Sequence, residues 1–227
     1  MKLCVALDLE SSRSNLALAE QLSDLDVWYK VGLRSFIRDG WGFLDDLARA
    51  GGDKPVFLDL KLHDIPKTMA DAAEAIADRG VAMFNLHTSA GPTGLQTVMD
   101  RLDKRTSRPL VLGVTALTSL ADAEFQAIYH APVAQEASAM AVRAHSSGLD
   151  GVVCSVHEVS AVKASTAKDF LALTPGIRLP QNDRDDQNRI ASPQEAKAIG
   201  SDFIVMGRPI YGAEDPHAVA SAVLAGD

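Results

Sequence analysis

In the stretch Val56-Phe-Leu-Asp-Leu-Lys-Leu-His-Asp-Ile-Pro-Lys-Thr-Met69, an acid and a base, Asp59 and Lys61, stand two positions apart inside an apolar β-run. Side chains alternate along a strand, so both point to one face. Asp64 follows five positions after Asp59. Pro66 cannot donate to a sheet ladder, so the strand ends before it and Asp64 sits in the outgoing loop. Two carboxylates and an ammonium set among Leu58, Leu60 and Leu62 are costly near a core unless they pair well. Two readings fit: a structural salt bridge, or a proton donor held charged by its neighbours.

Outward from this strand, similar apolar, β-rich runs cover Leu3 to Leu9, Val27 to Gly32, Met83 to Thr88, Leu110 to Leu117, Gly151 to Val156, Phe170 to Ile177 and Phe203 to Ile210. Helical spacing fills the gaps: Asn15 to Leu25, Phe36 to Ala50, Lys67 to Arg79, Pro92 to Lys104, Pro132 to Ser147, Glu158 to Ala167, Pro193 to Ile199 and Asp215 to Leu224. Ser192-Pro193 with Glu195, and Asp215-Pro216, read as helix starts. Ala121 to Tyr129 adds a short helix after the fifth strand. Alternation implies parallel pairing, and eight units close a (β/α)8 barrel. No linker or low-complexity tract divides residues 1–227, so the expectation is an α/β fold made of a single-domain TIM barrel.

Composition narrows the function classes. The hydrophobic fraction is 47% and mean hydropathy is near zero, as in ordinary globular proteins. No apolar run is long enough to span a membrane. The first run is broken by Asp8 too early for a signal-peptide core, which predicts a cytoplasmic protein without a membrane partner. A formal net charge of -8 argues against a nucleic-acid surface, which needs clustered cations, so any phosphate bound is a small local one. Cys4 and Cys154 lie in apolar runs as small hydrophobes; a disulfide requires them to be neighbours in space.

In barrels of this type chemistry sits at the C-terminal ends of the strands. Polar residues collect there: Asp8; Lys30; Asp59 and Lys61 with Asp64 beyond; His87; Thr115 to Ser119; Thr174 to Arg178; Gly207-Arg208. Surface scatter does not favour one end of seven strands out of eight. Gly207-Arg208 reads as a phosphate loop, with glycine for close approach and a bidentate guanidinium, or as a surface arginine pairing with an acid. The polar run Leu179 to Arg189 reads equally as a lid, from which Gln187 reaches a ligand, or as a solvated loop. Asp8 and Lys30 on adjacent strands bind sugar hydroxyls and extend the charge array, or merely balance each other. His87 lacks partners at ligand spacing and His63 reads as packing, so no metal is expected.

Taken together, Asp59-x-Lys61-x-x-Asp64-Ile-Pro-x-Thr68, Ala-Leu-Asp8, Lys30-Val-Gly, Leu-Thr118-Ser119, Thr-Pro-Gly-Ile-Arg178 and Gly207-Arg208 resemble the orotidine 5'-phosphate decarboxylases of the bacterial type. The Asp-x-Lys-x-x-Asp element alone is shared with hexulose-phosphate synthases and keto-gulonate-phosphate decarboxylases. The Ile-Pro-Lys-Thr68 and Thr-Pro-Gly-Ile-Arg elements single out the orotidylate enzymes. The resemblance implies loss of CO2 from orotidine 5'-monophosphate to give UMP, without cofactor or metal, in a homodimer with shared sites. It makes Lys61 the proton donor to C6, places Asp59 beside the departing carboxylate, and brings Asp64 from the partner subunit. Lys30 completes the charged tetrad. Asp8 and Thr68 bind ribose hydroxyls, Thr68 across the interface; Thr118 and Ser119 face the pyrimidine; Arg178, Gln187, Gly207 and Arg208 hold the phosphate.

The residues fit this chemistry independently. Decarboxylation leaves an electron pair in the ring plane that the π-system cannot delocalise, so a fixed cation must stabilise it. The alternative within the wider group is a sugar-phosphate enzyme whose acids bind Mg2+. A barrel that only binds a nucleotide gives no reason for a lysine flanked by two acids.

Overall fold

The computed structural model describes residues 1–179 and 190–226. Among them, eight parallel strands close into a barrel: β1 Lys2–Ala6, β2 Val27–Gly32, β3 Val56–Leu62, β4 Met83–His87, β5 Leu110–Val114, β6 Gly151–Val153, β7 Leu171–Thr174 and β8 Phe203–Met206. Closure comes from β1 pairing with β8, Leu3 opposite Ile204. The (β/α)8 barrel read from the alternation of elements is therefore the observed fold.

Apart from β3, whose second half is only partly buried at the cavity, the strands are buried on both faces, which explains their almost unbroken apolar runs. Cys4, Ala6, Trp28, Phe57, Leu112, Val153, Leu173 and Val205 pack together inside the barrel. Their neighbours Leu3, Val5, Val27, Tyr29, Val31, Leu58 and Phe84 turn outward and pack against the helices. Cys4 and Cys154 are buried and not joined in a disulfide, and burial pushes the Cys4 thiol far above the ordinary range.

The helix starts follow the local signals. Ser192 and Glu195 form a reciprocal capping box ahead of the helix Pro193–Ile199. Asp215 caps Pro216–Ala225 through the Ala218 N–H at 2.9 Å. At the opposite end of the barrel Asp150 accepts the Val111 N–H and the Arg108 guanidinium. Asp202 does the same for the Ala172 N–H and Lys163. These pairs tie strand entries together on the face where barrels are stabilised rather than active.

Three details differ from expectation. Several strands stop earlier than their apolar runs: β5 ends at Val114, while Ala116 and Leu117 continue as loop, and Arg208–Tyr211 after β8 is a helical turn. The helix Leu33–Gly51 starts before Phe36 and is broken at Gly40, whose φ of +62° needs a residue without Cβ. His63 is exposed rather than packed into the core, its ring 5.3 Å from that of His87.

Candidate active site

The loop after β1 is pinned before it delivers Asp8. Ser35 donates to the Leu7 carbonyl at 2.6 Å, Asn15 donates to Ser35 at 3.1 Å, and the Leu9 N–H donates back to Asn15 at 3.0 Å. Asn15 and Ser35 are fully buried. Asp8 thus hangs between two fixed residues. Its carboxylate meets Lys30, on β2, at 3.0 Å.

Lys30 also lies 3.4 Å from Asp59. Burial opposes its charge, but Asp59 and Asp8 outweigh that cost and hold its pKa above the ordinary lysine value. Burial likewise opposes ionisation of Asp59, and Lys30 and Lys61, with hydrogen bonds from Lys61 and Asn85, hold it below the usual carboxylate range. The Lys61 ammonium donates to Asp59 at 2.6 Å. The array runs Asp8, Lys30, Asp59, Lys61, with alternating sign.

Strand alternation alone does not produce this pairing. The β3–β4 register shifts between Leu58, opposite Phe84, and Leu62, opposite Leu86. Lys61 has φ +53°, in the left-handed region. The expectation of a regular strand holding Asp59 and Lys61 on one face is therefore corrected: a bulge turns Lys61 onto Asp59.

These charges line one cavity of about 520 Å³ at the C-terminal ends of the strands. Thr118 and Ser119 enter it from the loop after β5; Arg178 from the loop after β7; Gly207 and Arg208 from the end of β8. Arg178 is 8% exposed and its guanidinium donates to the Ile177 carbonyl at 3.0 Å. Among the described residues, Lys30, Arg34, Lys61, Arg178 and Arg208 line the cavity together with Asp8 and Asp59. In a chain of net charge -8, the described part of this lining is rich in cations and suited to a small anion.

Asp64 and Thr68 are exposed and lie outside the lining of their own chain's cavity. The Asp64 carboxylate accepts its neighbour's N–H, from Ile65, at 2.7 Å. Gln187 and the polar run at 180–189 lie outside the described residues. His87 is half-buried, and burial, His63 and Lys61 push its pKa below the ordinary value. Among the described residues no group of three or more His, Cys, Asp or Glu is placed to hold a metal.

Sequence reasoning passed over three residues. Arg34 and Tyr211 line the cavity. Asn85, in β4, donates to Asp59 and accepts from the Lys61 N–H, each at 2.7 Å. Tyr211 follows Gly207-Arg208 by one helical turn; Asn85 is a polar residue in the middle of an apolar strand. Those were the available signals.

Residues 1–223 match the model of the orotidine 5'-phosphate decarboxylase / HUMPS family. A Helicobacter pylori protein named orotidine 5'-phosphate decarboxylase is 52% identical over 224 residues, covering 99% of each chain. One of the same name from Sulfurimonas denitrificans is 52% identical over 224 residues with the same coverage. The crystal structure of orotidine 5'-phosphate decarboxylase from Lactobacillus acidophilus superimposes with a TM-score of 0.84 at 35% identity, over 99% of this chain and 97% of that one.

Proposed function

The chain belongs to the orotidine 5'-phosphate decarboxylase / HUMPS family, and from that premise we propose that it decarboxylates orotidine 5'-monophosphate to UMP as one catalytic domain. The observation that carries this reading is the Lys61 ammonium, 2.6 Å from Asp59, in a cavity also lined by Asp8, Lys30, Arg178 and Arg208.

The bond from C6 to the carboxylate breaks, CO2 leaves, and the electron pair stays on C6. Lys61 stabilises that pair and passes it a proton. The pairing with Asp59, itself held 3.4 Å from Lys30, keeps the cation fixed before the charge appears, so little reorganisation is needed. Asp59 lies beside the departing carboxylate. Asp8, with Lys30, binds ribose hydroxyls, and Thr118 and Ser119 face the pyrimidine. Arg178, Arg208, the Gly207 backbone and Gln187 hold the phosphate. Binding energy gathered there, away from C6, is available for ordering the reacting groups.

The site is shared in a homodimer. The partner subunit's Asp64 and the partner subunit's Thr68 complete it. This fits the exposure of both residues in the single chain and of the apolar Ile65 between them, which is 66% exposed. The enzyme needs no cofactor and works in the cytoplasm; no helix among the described residues is long and apolar enough to cross a membrane.

Metal-dependent chemistry on a sugar phosphate is disfavoured because Asp59 already accepts from Lys61 and Asn85 and faces Lys30. Orotidine 5'-monophosphate added to chelator-treated protein is expected to show the ultraviolet absorbance change of conversion to UMP. No change, or a change only after Mg2+ is restored, overturns the reading.

A further inference from the structure

The β3–β4 pairing loses its register where the charged residues sit. Leu58 is opposite Phe84 and Leu62 opposite Leu86, so Asp59, Leu60 and Lys61 together face the single residue Asn85. A bulge of this kind leaves backbone groups without ladder partners. Lys61 adds a φ of +53°, which costs a non-glycine residue energy that its surroundings must offset.

Asn85 meets both needs. Its Oδ1 accepts the Lys61 backbone N–H at 2.7 Å, and its Nδ2 donates to Oδ1 of Asp59 at 2.7 Å. That same carboxylate oxygen accepts from the Lys61 ammonium at 2.6 Å. Asn85 is 1% exposed, between the fully buried Phe84 and Leu86. An amide in that setting is costly unless both halves are bonded. Both halves are bonded to members of the charge array.

We propose that Asn85 is the positioning residue of this site: one carboxamide holds the left-handed backbone of Lys61 and aims the carboxylate of Asp59 at the Lys61 ammonium. Asn85 acts through those two residues and touches neither substrate nor reacting atom. The residue type follows from the geometry. Aspartate accepts but does not donate, and sets a second carboxylate against Asp59. Leucine has the shape without either bond. Serine is too short to span both partners. The Nδ2 bond is also one of the forces that keep the buried Asp59 ionised.

The assignment rests on the decarboxylase reading, so turnover of orotidine 5'-monophosphate by the unaltered enzyme is measured first. An inactive parent chain sinks that reading and says nothing against Asn85. With an active parent, Asn85→Leu is expected to lose about 100-fold in kcat, the scale of a misplaced catalytic group. Affinity for UMP is expected to stay within about threefold, because the phosphate and ribose contacts are untouched. The acid limb of the kcat profile moves to higher pH as Asp59 protonates more readily. Asn85→Asp is expected to lose at least as much. Should Asn85→Leu fail to fold, Asn85→Ser is measured in its place with the same expectations for affinity and the acid limb. A kcat within about threefold of the parent in the folded variant overturns the proposal. So does a parallel fall of kcat, UMP affinity and melting temperature with an unmoved pH profile, which marks damaged packing rather than lost positioning.

Discussion

Nζ of Lys61 lies 2.6 Å from Oδ1 of Asp59 although a single residue separates the two in sequence. The contact depends on the left-handed backbone of Lys61, which folds the longer side chain back over the shorter one. A cation fixed in this way is worth most where negative charge develops, and least in binding the intact nucleotide. Lys61→Ala is therefore expected to lower decarboxylation by at least about a thousandfold while UMP binding stays measurable by calorimetry. Near-normal turnover in this variant would remove Lys61 from its role.

Shared sites make a distinct prediction for mixed chains. Asp64→Asn and Lys61→Ala homodimers are each expected to be inactive. In a heterodimer of the two, one site keeps the Lys61 of one chain and the partner subunit's Asp64, while the other site loses both. Random exchange of equal amounts makes half the dimers mixed, so roughly a quarter of the sites regain activity. Verified heterodimers that stay inactive would exclude the shared site.

The charge array also sets the pH range of stability. Asp59 is held below the ordinary carboxylate range, so its contribution is complete above the unfolded value of about 3.9 and is lost as pH falls through the lower folded value. Lys30 is held above the ordinary lysine value, so its contribution is complete below about 10.4 and is lost as pH rises through the higher folded value. Denaturant unfolding across a pH series is expected to show a plateau between about pH 5 and 9 with a loss on each side. Lys30→Met should make the alkaline limb shallower. An alkaline limb unchanged by that substitution would show that Lys30 is not a source of it.

The barrel was legible because strands buried on both faces leave uninterrupted apolar runs, and because capping signals such as Ser192 with Glu195 mark where helices begin. Strand ends were less legible. Ala116 and Leu117 are as apolar as β5 itself, yet they line the cavity from a loop. Asp59 and Lys61 were paired correctly from a strand period that does not hold there, since the register shift that brings them together leaves no trace in residue type. Asn85 was missed for a related reason. A single asparagine in a strand carries no periodic signal, and its function appears only when the bulge sets Lys61 and Asp59 around it.

Gly32 offers a test of how tightly the array is set. It closes β2 two residues after Lys30 with φ −93°, so backbone strain does not demand glycine. Space does. A Cβ at Gly32 would lie 3.0 Å from Oδ1 of Asp8 and 3.0 Å from Nζ of Lys30. Both atoms end flexible side chains and can yield by a few tenths of an ångström, so Gly32→Ala is expected to fold with a melting temperature within about 5 °C of the parent. Lys30 Nζ and the other oxygen of that carboxylate, Oδ2, form the 3.0 Å contact that joins Asp8 to the array, and the methyl group pushes on both side chains. Turnover of orotidine 5'-monophosphate is expected to fall about tenfold in kcat/KM. Inhibition by inorganic phosphate is expected not to change, because Arg178 and Arg208 enter the cavity from other strands. Unchanged turnover in a folded Gly32→Ala chain would mean that the Asp8–Lys30 spacing has slack, and that Lys30 acts through its charge rather than its placement.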